Sequence, residues 1–142
     1  MNDVVADELG IRRILAAYCQ LIDDGDFSGV ADQFTPAGSF VFAGEVVAGR
    51  DALMHWFERS QPLHRRGKHI ATNAIIDISG EKAVVTSDFL FFRFVKGVWS
   101  SQIAGRYRDV FAKIDGVWRL ERREVEVLTA LAADPQAEER HG

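Results

Sequence analysis

Cysteine occurs once in the 142 residues, proline three times and tyrosine twice. With Cys19 alone, no disulfide can form within the chain, and a cysteine-based zinc site is excluded. The four histidines are scattered and form no HExxH pair. A glycine-rich phosphate loop, a nucleophile elbow and a dinucleotide-binding fingerprint are also missing. No apolar run approaches the roughly 20 residues that cross a bilayer. The start, MNDVVADELG, is acidic and lacks the basic opening and apolar centre of a signal peptide. Positive charge is in deficit too: 17 Lys and Arg against 21 Asp and Glu leave −4, which argues against nucleic acid as the main partner. The basic clusters HRRGK (64–68) and ERR (121–123) are short, with no nucleic-acid motif around them. These absences lead to the expectation of a cytoplasmic protein that needs no cofactor or metal and meets a small molecule, not a membrane.

What the chain does have is apolar bulk. Hydrophobic residues make up 47% of it, with ten Phe and three Trp, enough for one well-filled domain. Residues 1–131 read as that domain and 132–142, AADPQAEERHG, as a polar tail. Between Asp7 and Ile22, apolar residues fall at Ile11, Ile14, Leu15, Tyr18 and Ile22, one face of an amphipathic helix. DDGD (23–26) breaks it, and Asp26 or Ser28 can cap a short second helix. A short strand at 38–42 and a turn with a strand extension at 44–49 precede a third helical stretch over 49–61. After Gly67 the pattern becomes that of strands: 68–78, 82–95, 98–114 and 117–131. The breaks between them include Asp115-Gly116, a strong hairpin signal. The predicted class is α+β, with N-terminal helices packed on a curved antiparallel sheet.

The second long strand is apolar on both sides. Phe89 and Phe91 alternate with Leu90, Phe92 and Phe94. Such a sheet needs two covers. Helices supply one, and a second copy of the chain is the simplest other, predicting a homo-oligomer, a dimer or alternatively a trimer.

The stretches IRRILAAYCQLIDDGD (11–26), HIATN (69–73), GRYRDVF (105–111) and DGVWRLERR (115–123) together resemble the SnoaL-like branch of the nuclear transport factor 2-like superfamily, over roughly residues 7 to 130. The resemblance implies a cone-shaped, cystatin-like fold whose sheet curls around a deep pocket. In site residues the chain is most similar to a dehydratase and dehydrohalogenase group: scytalone dehydratase, bile acid 7α-dehydratase and hexachlorocyclohexane dehydrochlorinase. That group resembles one another in a pocket Asp–His dyad. Asp23 takes the place of its Asp at the end of the first helix, and His69 that of its His at the start of the first long strand. Tyr18, five residues before Asp23, matches a spacing found in the bile acid enzyme. Arg106, Arg122 and Arg123 all compete for the family's arginine.

Read for themselves, these residues carry two meanings each. Asp23 sits at a helix C-terminus, where a carboxylate opposes the helix dipole, so it has no evident capping task. A carboxylate on one ring nitrogen of His69 would fix the tautomer and stabilise the imidazolium, making the other nitrogen a better base. Tyr18 is either core packing with one hydroxyl partner or a hydrogen-bond donor to substrate. Asn73 shares strand parity with His69 and either lines the same wall or satisfies the backbone at a bulge. Trp56, Phe57 and Phe92 are candidate apolar walls, and Arg123 a candidate polar contact. Arg106, Asp109 and Arg123 suit cross-strand ion pairs, as Asp88 and Arg93 suit an internal one.

The expected function is that of a lyase or isomerase acting on a hydrophobic cyclic or aromatic molecule, with His69 as base, Asp23 as its orienter and Tyr18 on an oxygen. The alternative is a non-catalytic binding or scaffold protein of the same fold. A third is a polyketide cyclase or an epoxide hydrolase, the latter needing an Asp-Arg-Asp set drawn from Asp88, Asp109 and Arg106 or Arg123.

Overall fold

In the computed structural model, residues 3–128 are described. Asp3 opens the first helix, α1 (Val4–Asp24), by accepting hydrogen bonds from the Val5 and Ala6 amides. Asp7, Ile11, Leu15, Tyr18, Cys19 and Ile22 form its buried stripe. Gly25 stops it: at φ +77° its backbone turns left-handed and its amide closes on the Ile22 carbonyl. Asp26 then caps α2 (Phe27–Asp32) through the Gly29 amide. The chain continues through β1 (Phe34–Phe42), β2 (Glu45–Ala48) and α3 (Arg50–Ser60), then a single 3-10 turn at Leu63–Arg65. The rest is a meander: β3 (Lys68–Ser79), β4 (Lys82–Val95), β5 (Val98–Ile114) and β6 (Val117–Val127). Asp115 and Gly116 both have positive φ, the geometry that suits a two-residue hairpin. The polar tail expected at 132–142 lies outside the described residues.

The six strands form one curved, unclosed sheet in the order β2-β1-β6-β5-β4-β3. The expectation of a purely antiparallel sheet needs one correction. β1 and β6 run parallel, Phe40 opposite Arg123 and Phe42 opposite Val125, so the sheet is mixed. Alternation within a strand reveals which faces are apolar but not which distant strand will lie alongside.

The helices cover the concave face, where Phe40, Phe89, Tyr107, Phe111 and Leu120 join Ile11, Leu15, Tyr18 and Ile22 in one core. The opposite face has no cover among the described residues. Ile70, Phe94 and Trp99 stand there about half exposed, at 51%, 58% and 54%, and the Phe94 and Trp99 rings lie 5.3 Å apart.

Candidate active site

Helix α1 delivers Asp23 one residue after its last buried position, Ile22, and just before the Gly25 stop. Strand β3 begins beside that helix end and brings His69 to it. Asp23 holds His69 by two routes. Its oxygens accept from the His69 backbone amide at 3.1 and 3.0 Å, and Oδ1 lies 2.6 Å from the ring Nδ1. Both side chains are nearly enclosed, 4% and 10% exposed. An ionised carboxylate can only accept, so in the neutral imidazole Nδ1 carries the proton and Nε2 keeps the lone pair.

His69 lines a cavity of about 370 Å³, with Asp23 behind it, near the lower end of the range typical of ligand pockets, roughly 300–1,000 Å³. Its lining is mainly apolar, and His69, Tyr18, Trp56 and Phe57 all contribute to it. Of the sequence candidates, then, the dyad, the tyrosine and two aromatic walls come together in one place. Phe91 is a wall that sequence reasoning assigned to its neighbour: it pairs directly with His69 in the ladder and its ring centre lies 4.6 Å from the imidazole. Phe89 lies flat on Tyr107 at 4.3 Å, and Gly105 opposite makes this possible, because a Cβ there would stand 2.3 Å from the Phe89 ring.

Beneath this wall lies a buried ion pair. Arg123 donates through Nε and Nη2 to the two oxygens of Asp109, each at 2.8 Å, across paired positions of β5 and β6. Its guanidinium is stacked between aromatic rings, 3.8 Å from the Tyr107 centroid and 4.2 Å from that of Tyr18. Burial works against the charge of Arg123, but Asp109 outweighs it and holds the guanidinium above its ordinary pKa. Burial likewise raises the Tyr18 hydroxyl, against the opposing pull of Arg123. Tyr18 therefore stays a neutral phenol at physiological pH and can donate a hydrogen bond but not act as a base.

Three expected ligand contacts are corrected. Phe92 faces away from the cavity, since His69 registers with Phe91 and alternation sends the next residue to the other face. Asn73 belongs to a bulge, not to the wall. The ladder shifts between Thr72 and Ile75, Asn73 adopts φ +55°, and its amide reaches Asp88 at 3.4 Å. Arg123 supports the cavity from below and is not among its lining residues. The Asp88–Arg93 pair does not form either. Asp88 binds Arg106 at 2.7 Å, and Arg93 donates to the His64 carbonyl. Asp88–Arg106 and Asp109–Arg123 occupy opposite faces of the sheet, so the three-residue set of an epoxide hydrolase is not assembled. Among the described residues no three His, Cys, Asp or Glu side chains converge on a possible metal position.

Helices on the hollow of a curved sheet, with a polar pair at the end of an apolar cavity, is an arrangement shared with known proteins. The SnoaL-like domain family matches residues 3–124. The chain belongs to this family. A Mycobacterium tuberculosis protein of unknown function, solved as an aspartate-to-asparagine variant, is 30% identical, with 86% of this chain and 76% of that one covered and a TM-score of 0.81. A nuclear transport factor 2-like protein with a cystatin-like fold from Novosphingobium aromaticivorans is 23% identical over 90% and 92% of the two chains, also at 0.81. A protein of the same organism, named provisionally as a scytalone dehydratase, is 24% identical over 87% and 85%, at 0.75. No curated protein matches the SnoaL-like chain significantly. Because 386 solved chains share this architecture, the fold by itself selects no chemistry.

Proposed function

We propose that this SnoaL-like protein is a lyase or isomerase that needs no cofactor and acts on a hydrophobic, ring-containing small molecule. The observation behind this reading is the 2.6 Å contact between His69 Nδ1 and Asp23 at the wall of an apolar cavity. His69 Nε2 takes a proton from a carbon acidified by a neighbouring carbonyl group. In elimination, the C–H electron pair becomes the new double bond and the leaving group departs from the adjacent carbon with its own bonding electrons. In isomerisation, the electrons pass to the carbonyl oxygen and the proton returns at another carbon. In both, Asp23 offsets the positive charge that arises on the imidazole, and Tyr18 donates to the oxygen that gains charge or departs.

The resemblance to dehydratases favours elimination of water over isomerisation. The test is turnover of a panel of cyclic β-hydroxy ketones, with loss of water followed by the absorbance of the conjugated product. His69→Ala should abolish conversion, and Tyr18→Phe should lower kcat on the order of 100-fold. Conversion that persists in His69→Ala would remove the proposal. Tight binding of the same compounds without conversion would make the cavity a binding site alone.

A further inference from the structure

The basic run HRRGK at 64–68 has no part in the dyad, and the structure divides it between two tasks. Arg66 turns back toward α1 and α2. Its Nε donates to the Gln61 carbonyl at 3.1 Å, and its guanidinium lies 5.5 Å from the Phe27 ring centre. Arg65, an exposed residue of the 3-10 turn, instead lines the His69 cavity beside Ser60 and Gln61. An adjoining recess of about 400 Å³ shares Arg65, Gln61 and Phe91 with that cavity and adds Arg93.

Charge in this outer region has one sign. No Asp or Glu lines either space. Among the described residues, neither Arg65 nor Arg93 forms an ion pair. Arg93 is tethered, because its Nη2 donates to the His64 carbonyl at 2.8 Å, yet its Nε is buried with no hydrogen-bond partner. A buried donor without an acceptor is costly and uncommon. Two guanidinium groups without counter-charge, in a protein of net charge −4, border the mainly apolar cavity and the recess that adjoins it. That arrangement suits an amphipathic ligand.

We propose that Arg65 and Arg93 bind an oxyanion, such as a carboxylate, carried by a ligand whose apolar body fills the cavity in front of His69. Guanidinium is the side chain best matched to a planar oxyanion. The charge would fix which end of the ligand enters first, with the apolar end toward the dyad. This inference rests on the cavity being the ligand site, as proposed above, but does not require that the ligand be turned over.

The experiment compares two probes of equal shape, naphthalene-2-acetate and naphthalene-2-acetamide, by calorimetric titration in low and high salt. The wild-type protein should bind the carboxylate about tenfold more tightly than the amide at low salt, with the preference shrinking as salt rises. Arg65→Gln should reduce the preference and Arg65→Gln with Arg93→Gln should erase it, the carboxylate losing more affinity than the amide. His69→Ala should keep the preference, which separates this inference from the catalytic reading: loss of turnover with the preference intact leaves it standing. Equal binding of the two probes by the wild type would overturn it. So would a preference that survives the double variant or disappears in His69→Ala, since the anion would then sit elsewhere or at the imidazole. Failure of both probes to bind would remove the cavity as their site, and this inference with it.

Discussion

Asp23 grips His69 by main chain and ring at once: the backbone amide reaches both carboxylate oxygens and the ring Nδ1 reaches one of them. The carboxylate thus fixes where β3 starts as well as which imidazole nitrogen is protonated. These two duties separate under substitution. Asp23→Asn keeps an oxygen for the amide but loses the negative charge, so the fold should hold while turnover falls about 10²- to 10⁴-fold. Asp23→Ala loses both and should also lower stability, by about 1–3 kcal/mol for the buried donors left unmet. Urea unfolding alongside kinetics checks the split; equal instability of the two variants would mean that the amide contacts carry no weight.

The Asp109–Arg123 pair predicts a large structural penalty. Arg123→Met leaves the Asp109 carboxylate buried without its partner and should cost about 3–5 kcal/mol. The double change Arg123→Met with Asp109→Leu should recover most of that loss, because neither charge is then stranded. A double variant as unstable as the single one would shift the explanation to the tyrosine stacking around the guanidinium.

Acid should weaken a contact between the first helix and the last hairpin. Asp7 accepts from Lys113 Nζ and Trp118 Nε1, each at 2.9 Å, and these bonds, Lys113 first, hold its carboxyl below the ordinary value. A lowered folded-state pKa means that the folded protein binds this proton less readily than the unfolded chain. The contribution is therefore complete above about pH 5 and fades as pH falls below about 4. The difference in unfolding midpoint between wild type and Asp7→Asn should be constant at neutral pH and shrink in acid. A difference that grows in acid would have the wrong sign.

The uncovered sheet face predicts self-association. Phe94 and Trp99 pack together there while staying about half exposed, and a second copy of the chain offers the same surface in return. Sedimentation at micromolar concentration should give a dimer or trimer, and Phe94→Glu with Trp99→Glu should give a monomer with an unchanged circular dichroism spectrum. A monomeric wild type would dismiss the idea.

Much of this was legible in the sequence because helices and strands announce themselves locally. The spacing of Ile11, Leu15, Tyr18 and Ile22, the DDGD stop and the Asp115-Gly116 turn needed no tertiary information. Asp23 could be singled out because it directly follows the buried stripe and has no evident capping task, whereas Asp26 is the cap of α2. What escaped depends on register. Alternation in β4 defines two faces, but only the pairing of His69 with Phe91 makes Phe91 the inner residue and Phe92 the outer one. Parity counted from His69 fails at Asn73 because three steps along β3, from Thr72 to Ile75, match two along β4, from Asp88 to Thr86. Arg65 was visible only as one cation in a basic run, since no periodicity marks which way a residue in a single 3-10 turn will face.

The parallel seam between β1 and β6 has a consequence in time. Phe40 and Phe42 leave the ribosome some eighty residues before Arg123 and Val125, the partners they need. Until β6 is made, the inner edge of β1 has nothing to pair with, and Asp109 has no guanidinium to meet it. Closure of so long a loop is slow and entropically costly. A nascent chain stalled before residue 117 would present an open, apolar edge of β1 to its surroundings, and synthesis of β6 is the step that closes it.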